Sequence, residues 1–175
     1  ATPAAIMIGA SKGAQSGILV KSGEFLEKAR RLQAVVFDKT GTLTKGKPSV
    51  TDIIPLKGFS SEKLIMLAAT AEKGSEHPIG AAIVEKAAAL GIRLPSGKSH
   101  VTVAGRGIAA ILGGKKILVG NRGFMKDNRI AMEAAAEGHI AKLESEGKTA
   151  VIVAFGRQAA GAIAVADTLK ESAKT

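Results

Sequence analysis

The sequence contains no cysteine, no tryptophan and no tyrosine, and aromatic residues make up only 3% of its 175 residues. Without cysteine, the chain forms neither a disulfide framework nor a thiolate metal site, which suits a reducing compartment. No uninterrupted apolar run reaches the roughly 18 residues that indicate a membrane-spanning helix. The first ten residues, ATPAAIMIGA, are apolar but lack the basic, apolar and cleavage segments of a signal peptide. With 46% hydrophobic residues, the chain can build a core.

The chain is basic, because 25 lysines and arginines outweigh 15 aspartates and glutamates and give a formal net charge of +10. The positive residues are spread along the chain rather than clustered, and few aromatic side chains are present to stack on bases. We therefore expect no nucleic-acid partner. The positive charge is equally compatible with a surface near an anionic membrane and with a site that attracts a polyphosphate.

Hydrophobic patterning predicts a chain of mixed helices and strands. Segment 32–37 is apolar, contains β-branched residues and is followed by a polar turn, as in a buried strand. The cluster Lys-Gly-Lys-Pro at 45–48 predicts a boundary behind it. Further strands are predicted over 50–56, 101–103, 108–112, 117–119, 149–155 and 159–165. Helices are predicted over 24–32, 61–73, 78–91 and 130–143, with a last one capped by Asp167-Thr168.

Cap and turn residues support several of these boundaries. Ser60 or Ser61 suits the N-cap of the helix that ends near residue 73. Pro78 suits the first position of the next helix. Gly113-Gly114 supplies a two-residue hairpin turn. The block from 47 to 164 is therefore predicted to be a self-contained α+β unit with helices against a largely antiparallel sheet.

The stretch FDKTGTLTKG at 37–46 contains the most reactive-looking group in the chain. Asp38 follows an apolar run, where an unpaired carboxylate is costly unless it caps a turn or serves as a reactive group. The carboxyl end of a central strand is where α/β sheets bind ligands. A carboxylate there can attack phosphorus and form an aspartyl phosphate, with Mg²⁺ neutralising the charge between the two groups. Gly41 lets the chain turn sharply after it.

The heptad DKTGTLT at 38–44 resembles the phosphorylation motif of P-type ATPases, and the resemblance covers essentially the whole chain. It implies that Asp38 takes the γ-phosphate of ATP and that Mg²⁺ is held by Asp38 and by the main-chain carbonyl of Thr40. The residues implied to assist phosphate and Mg²⁺ binding are Lys39, Thr40, Gly41 and Thr42.

The P-type ATPases belong to the haloacid-dehalogenase-like phosphotransferases, so the resemblance also implies a Rossmann-type phosphorylation domain. Many phosphatases of that superfamily carry a second Asp two positions after the first, as a general acid and base. Thr40 occupies that place here. Because a threonine cannot serve as that acid and base, we expect the aspartyl phosphate to persist.

The predicted block at 47–164 resembles the nucleotide-binding domain of heavy-metal-transporting P-type ATPases. The similar motifs are a glutamate followed by Ser-Glu-His-Pro at 75–78, a Gly-x-Gly at 105–107 and a Gly-Asn at 120–121. The residues that this resemblance implies for nucleotide binding are Glu72, Glu76, His77, Pro78, Gly105, Gly107, Gly120 and Asn121.

Each of these residue types has a physical use at a nucleotide. A histidine just ahead of a helix can stack on adenine or hydrogen-bond to it, and Glu72 can accept a hydrogen bond from the exocyclic amine. Glycines at 105 and 107 would let the nucleotide lie against bare backbone. Taken alone, the Gly-x-Gly indicates only a turn, and the His-Pro pair indicates a helix cap.

Ala1-Thr2-Pro3 resembles the segment that follows the intramembrane Cys-Pro-Cys of copper and related pumps. The resemblance therefore implies four parts. These are the end of a transmembrane helix with its cytoplasmic linker (1–31), the first part of the phosphorylation domain (32–46), the nucleotide-binding domain (47–164) and the start of a return into the phosphorylation domain (165–175). The phosphorylation domain would be incomplete.

The implied function is ATP binding and phosphorylation in a pump that exports heavy-metal ions, with Cu⁺ as the expected ion. Its cofactors would be ATP and Mg²⁺, and its place the cytoplasmic side of a membrane. Its partners would be the transported ion, bound in membrane helices, and the actuator and transmembrane domains of the same pump. We expect this stretch alone to be inactive in turnover. Two alternatives remain: a soluble phosphatase of the same superfamily, against which Thr40 argues, and a non-catalytic nucleotide-binding module.

Overall fold

The computed structural model describes residues 3–173. The chain divides into two compact units, the first ending at Asp38 and the second beginning at Lys39. Ala1 and Thr2, on which part of the copper-pump resemblance rests, lie outside the described residues, as do the last two residues of the chain.

The first unit contains two helices, α1 (Pro3–Gln15) and α2 (Gly23–Ala29). They pack closely, because a Cβ added at Gly23 would lie 2.7 Å from Ile6 Cγ2. No helix within residues 3–173 is long and apolar enough to cross a membrane. The prediction that 1–31 includes the end of a transmembrane helix stays a prediction.

The strand predicted at 32–37 is absent, so this prediction is wrong. Residues 32–38 are irregular and exposed, and Val36 has 95% of its surface exposed. A strand needs a neighbour for its backbone hydrogen-bonding groups, and no segment within residues 3–173 pairs with this one. The apolar, β-branched composition identified a segment suited to burial but did not supply its partner.

The second unit is built on a sheet of six strands in the order β1-β6-β5-β4-β3-β2, with every neighbouring pair antiparallel. The strands are β1 (Thr44–Pro55), β2 (Lys98–Val103), β3 (Gly107–Leu112), β4 (Lys115–Gly120), β5 (Thr149–Phe155) and β6 (Gln158–Leu169). Its helices are α3 (Ser61–Glu72), α4 (Pro78–Ala89), α5 (Arg122–Asp127) and α6 (Ala134–Ser145). The antiparallel sheet with flanking helices confirms the predicted fold class.

The sheet has a hydrophobic core on each face. Along β4, Ile117 and Val119 pack into the core that α3 and α4 cover, while Leu118 packs with α5 and α6 on the other face. This alternation follows from the two-residue period of a strand, and it makes the unit three layers thick. Because both faces are buried, a wall of a binding site can be formed only where a layer leaves the sheet uncovered.

Several predicted boundaries are confirmed by the capping contacts. Ser60 Oγ accepts a hydrogen bond from the Lys63 N–H at 3.2 Å and caps α3. Pro78 is the first residue of α4. Gly113 and Gly114 both have positive φ, 57° and 77°, as a tight hairpin turn between β3 and β4 requires.

The region between β4 and β5 differs from the prediction. The helix expected over 130–143 begins only at Ala134, and the short helix α5 before it was not predicted. The helix α5 ends at Asp127, Arg129 follows it with φ at 56°, and Ile130 packs from a loop into the core that α5 and α6 cover. The apolar residues near position 130 therefore indicate a loop that packs into this core, and the prediction of a helix there is wrong.

The strands β1 and β6 are longer than predicted. The end of β6 continues to Leu169, so Asp167-Thr168 does not cap a helix, and this prediction is wrong. This end of β6 is extended because it pairs with the start of β1, where Thr44 lies opposite Leu169. The strand β1 runs through the cluster at 45–48, and its register shifts between Thr44 and Pro48. Pro48 is tolerated because β1 is an edge strand. The proposed domain boundary near 46 stays a prediction.

Candidate functional site

A cavity of about 350 Å³ opens beside the sheet in the second unit. Its walls come from the connection between α3 and α4, the turn between β2 and β3, the end of β4 and the start of β5. The structure brings six of the predicted nucleotide-binding residues onto these walls: Glu72, His77, Gly105, Gly107, Gly120 and Asn121. Glu76 and Pro78 are exposed and are not among the residues that line the cavity.

Glu72, the last residue of α3, is only 9% exposed although it lines the cavity. Burial raises the pKa of its carboxyl above the ordinary value, and a hydrogen bond with Ser75 and the charge of His77 act against this rise. A Cβ at Gly80 would overlap Glu72 Oε2 and lie 2.9 Å from Ser75 Oγ, so α4 approaches the carboxyl closely. The group can accept a hydrogen bond from a ligand amine.

His77 has two functions available, one for each ring nitrogen. Its backbone is extended (φ −73°, ψ 133°) ahead of Pro78, as expected for a residue that precedes proline. Its Nδ1 accepts a hydrogen bond from the Ile79 N–H at 3.2 Å and caps α4. The helix-cap interpretation of the His-Pro pair is therefore confirmed. The cap uses only Nδ1. The other ring nitrogen, Nε2, takes no part in the cap and can serve a ligand in the cavity.

The two glycines of the Gly-x-Gly differ in what surrounds them. A Cβ at Gly107 would overlap the Val119 carbonyl oxygen and lie 2.7 Å from Gly120 Cα. Gly107 and Gly120 are register partners in β3 and β4, so each leaves room for the other backbone. Gly105, by contrast, has φ at 67° and nothing within 4 Å of an added Cβ. Open space therefore adjoins Gly105, while the room at Gly107 is occupied by the neighbouring strand.

Asn121 uses both ends of its side-chain amide within the protein. Its Oδ1 accepts from the Phe124 N–H at 2.9 Å and caps α5, and its Nδ2 donates to the Gly105 carbonyl at 2.9 Å. Its backbone N–H donates to the Arg106 carbonyl at 3.0 Å. Asn121 thus ties the turn at 105–106 to the start of α5.

Part of the wall was not predicted from the sequence. Residues 149–151 of β5 line the cavity, as do Ile79 of α4 and Thr102 of β2. They contain no motif, and β5 reaches the site only because it lies next to β4 in the sheet. Apolar side chains such as Ile79 and Val151 give the cavity a surface suited to a flat, uncharged ring.

The loop at 39–43 forms a separate feature, and none of its residues lines the cavity. Thr40 (φ −79°, ψ 121°) and Gly41 (φ 78°, ψ −18°) have the dihedral angles of a type II turn, which favours glycine at the second position. Lys39, Thr40, Gly41 and Thr42 are all exposed. The sharp turn expected from Gly41 is therefore present.

The end of this loop is anchored by Thr44, which is buried. Its hydroxyl accepts from the Gly41 N–H at 3.1 Å and donates to Asp167 Oδ2, and the Lys39 carbonyl lies 3.1 Å away. Lys170 Nζ donates to the Gly41 carbonyl at 2.7 Å. The sequence analysis assigned Thr44 no role beyond its place at the end of the heptad, and the contact with Asp167 was not predicted.

Asp38, described within the first unit, is exposed. Residues 3–173 contain no group of three or more His, Cys, Asp or Glu side chains placed to hold a metal ion. Oxygen donors are what Mg²⁺ prefers, and it is commonly held by one or two carboxylates together with phosphates and water. The Asp38 carboxylate and the Thr40 main-chain carbonyl, each taken by itself, are oxygen donors of the kind that Mg²⁺ prefers.

The sequence of residues 32–175 matches the model of the haloacid dehalogenase-like hydrolases. The chain is 52% identical over 174 residues to a probable copper-exporting P-type ATPase of Archaeoglobus fulgidus, covering 99% of this chain and 21% of that protein. It is 45% identical over 174 residues to a copper-exporting P-type ATPase of Bacillus subtilis, covering 99% and 22%. The chain thus spans about a fifth of the curated relatives that it matches.

The solved structures that resemble the fold include two heavy-metal transporters or parts of them. A zinc-transporting PIB-type ATPase in the E2.Pi state has a TM-score of 0.84 and 41% identity, over 98% of this chain and 27% of that one. The N-domain of a copper-transporting P-type ATPase has a TM-score of 0.58 and 30% identity, over 67% of this chain and 99% of that one.

Proposed function

The chain belongs to the P-type ATPases of the haloacid dehalogenase-like hydrolase family, and from this premise we propose that it forms the ATP-binding domain and the phosphorylation loop of a heavy-metal-exporting pump. The observation that supports this most is the cavity, where Glu72 and His77 from the connection between α3 and α4 line the same wall as Gly105 from the turn between β2 and β3. The four parts at 1–31, 32–46, 47–164 and 165–175 are retained in this proposal.

The cavity suits the base of ATP. Its apolar side chains would contact the adenine ring, the Glu72 carboxyl would accept a hydrogen bond from the exocyclic amine, and His77 Nε2 would face the base. Gly105, with open space beside it, would let the nucleotide approach the backbone, while Gly107, Gly120 and Asn121 hold that turn in place. Glu76 and Pro78 would contribute from outside the wall, Pro78 by fixing His77 at the helix start.

In phosphoryl transfer, an Asp38 carboxylate oxygen would attack the γ-phosphorus of ATP. The bond between the γ-phosphorus and the β,γ-bridging oxygen breaks, and ADP leaves with that electron pair. Lys39, Thr40 and Thr42 are exposed on the turn that follows Asp38 in the sequence, and they would assist phosphate binding. Asp38 and the Thr40 carbonyl would hold Mg²⁺, which neutralises charge between carboxylate and phosphate when bound. Thr40 provides no acid and base for hydrolysis, so the aspartyl phosphate would persist.

In the whole protein, this phosphorylation would drive export of a metal ion held in membrane helices. The names of the curated relatives favour Cu⁺ as that ion. The two units would then lie on the cytoplasmic side of the membrane, and the actuator and transmembrane domains of the same pump would be their partners.

The test is phosphorylation of the full-length pump with γ-labelled ATP and Mg²⁺. We expect acid-stable, hydroxylamine-sensitive label in the wild type and none in Asp38→Asn, because the amide cannot attack phosphorus. Calorimetry should give the same Kd for ATP in both proteins. Glu62→Gln, which removes another exposed carboxylate, is the control and should label normally. Label that is released at once would indicate a phosphatase, and nucleotide binding without label in the wild type would indicate a binding module.

A further inference from the structure

Arg106, between the two glycines of the turn, is the only lysine or arginine on the cavity wall within residues 3–173. The rest of the wall is apolar or uncharged apart from Glu72, whose carboxyl is acidic, and His77. ATP carries several negative charges on its phosphates. The wall therefore offers one permanent positive charge to a ligand with a strongly charged end.

The backbone of Arg106 is held firmly while its side chain is not. Its N–H donates to the Val103 carbonyl at 3.0 Å, and its carbonyl accepts from the Asn121 N–H at 3.0 Å. The side chain is 48% exposed. The guanidinium extends over the first turn of α5, because a Cβ at Gly123 would overlap Nη1. A fixed backbone with an exposed side chain lets the charge move without disturbing the turn.

The partner of the guanidinium is Asp127, with Arg106 Nη1 at 3.4 Å from Asp127 Oδ2. Asp127 is 58% exposed, and a single long contact between two exposed side chains contributes little to stability. A phosphate offers several oxygens to the planar guanidinium and can form paired, charge-assisted hydrogen bonds with it. Exchanging Asp127 for a phosphate therefore costs little and gains a stronger contact.

We propose that Arg106 is a specificity-determining residue that leaves Asp127 to bind the phosphates of the nucleotide. This inference rests on the proposed function and adds how the site distinguishes ATP from unphosphorylated adenosine. The base would be recognised by the apolar wall, Glu72 and His77, and the phosphates by Arg106. Asp127 would compete with the phosphates for the same guanidinium.

Calorimetric titration of the 175-residue chain with ATP and with adenosine tests this inference. In Arg106→Gln we expect ATP to bind about three- to tenfold more weakly, in line with a contact made at an exposed edge, and adenosine to bind as in the wild type. Arg106→Lys should retain part of the affinity for ATP, since it keeps the charge but loses the paired geometry. Asp127→Asn should bind ATP at least as tightly as the wild type, because it removes the competing carboxylate.

Lys126→Gln is the matched control. Lys126 precedes Asp127 in α5 and does not line this cavity, so the variant removes one positive charge near the site but not from its wall. It should leave both affinities unchanged. Equal Kd values for ATP in Arg106→Gln and the wild type would overturn the inference, and so would an equal loss for ATP and adenosine or an equal loss in Lys126→Gln. A wild-type chain that binds neither ligand would instead overturn the proposed function. The melting temperature of each variant is also measured, and titrations are made where the variant is folded, so that loss of folded protein is not read as loss of affinity.

Discussion

The cavity and the loop at 39–43 are both assembled around glycine and polar residues, yet they are held in different ways. In the cavity, His77, Gly107 and Asn121 each make a contact that shapes the fold as well as lining the site. In the loop, residues 39–42 are exposed, and the contacts that fix it come from Thr44 and Lys170 behind it. Substitutions at these three wall residues should therefore affect the fold as well as the site, whereas those on the exposed loop should change phosphate chemistry without changing stability.

The largest loss of stability is expected for Gly107→Ala. The added Cβ would overlap the Val119 carbonyl oxygen, so β3 and β4 must separate where Gly107 faces Gly120. Overpacking of this kind costs about 1–3 kcal/mol, and backbone-to-backbone contact puts this site at the upper end. Urea unfolding of the 175-residue chain measures the loss.

Gly105→Ala is the matched control for Gly107→Ala. Its Cβ meets nothing within 4 Å, so the loss should be only the roughly 1 kcal/mol that a positive φ costs a non-glycine residue. Equal stability of the two variants would contradict the inference that the neighbouring strand leaves no room for a side chain at Gly107 while Gly105 adjoins open space.

Thr44→Val should have the next largest effect, and it tests whether the loop is anchored from behind. The variant keeps the shape of the side chain but leaves Asp167 Oδ2 and the Gly41 N–H without the hydroxyl. Asp167 Oδ1 is already buried without a hydrogen-bond partner, and the variant would also remove the hydrogen bond from the Thr44 hydroxyl to Oδ2. Leaving a buried polar group unsatisfied costs about 1–3 kcal/mol.

Thermal unfolding of Thr44→Val and Thr44→Ser separates the hydroxyl from the side-chain volume. Thr44→Ser retains the hydroxyl and should be close to the wild type, and Thr42→Val, on the exposed part of the loop, should not change the melting temperature. Similar losses in Thr44→Ser and Thr44→Val would show that packing, not the hydrogen bonds, fixes the loop.

His77→Ala should change stability and affinity by separable amounts, because the ring nitrogens have separate tasks. Loss of the N-cap at Nδ1 should cost about 1 kcal/mol of stability. Loss of the ring from the cavity should weaken ATP binding by about one order of magnitude, as an aromatic ring stacked on a base is worth roughly 1–3 kcal/mol. His77→Asn can still cap the helix and should recover stability but not affinity. Calorimetry on folded protein decides: an unchanged Kd in both variants would remove His77 from the site.

The sequence predicted the second unit better than the first. Alternating apolar residues, Ser60, Pro78 and the glycine pair at 113–114 each act locally, and their predicted elements are present. The strand at 32–37 and the helix from Asp167 failed because pairing decides them: the first has no partner within residues 3–173, and the second is paired with β1. Pairing joins residues far apart in sequence, which a local pattern does not report.

The same distinction holds for the cavity. Motifs identified six wall residues, because each occurs in a short run with an unusual composition. Residues 149–151 reach the wall through strand order alone, and Thr44 anchors the loop through a contact with a residue 123 positions away. Neither strand order nor this long-range contact can be predicted from the residues nearby in sequence.

The smallest effect is expected from Glu72, and it depends on pH. Burial raises the pKa of this carboxyl above its ordinary value of 4.5, so the folded chain binds the proton more tightly than the unfolded chain. The protonated group therefore stabilises the fold fully below the unfolded pKa, and this contribution is lost as pH rises through the folded pKa. Once pH exceeds the folded pKa, the chain holds a charged, poorly solvated carboxylate. Glu72→Gln removes that charge, and its melting temperature should exceed that of the wild type at pH 7, with the difference shrinking as pH falls towards 4.5.

Thermal unfolding of both proteins across this pH range measures the difference. Glu76→Gln removes an exposed carboxylate close in sequence and is the control for net charge; it should not reproduce the pH-dependent gain. A Glu72→Gln chain that is less stable than the wild type at pH 7 would show that the contact with Ser75 outweighs burial. In that case the Glu72 carboxylate would stabilise the fold through its contact with Ser75, as the Asn121 amide does through its own hydrogen bonds. The cavity wall would then differ more clearly from the loop at 39–43, whose exposed residues do not stabilise the fold.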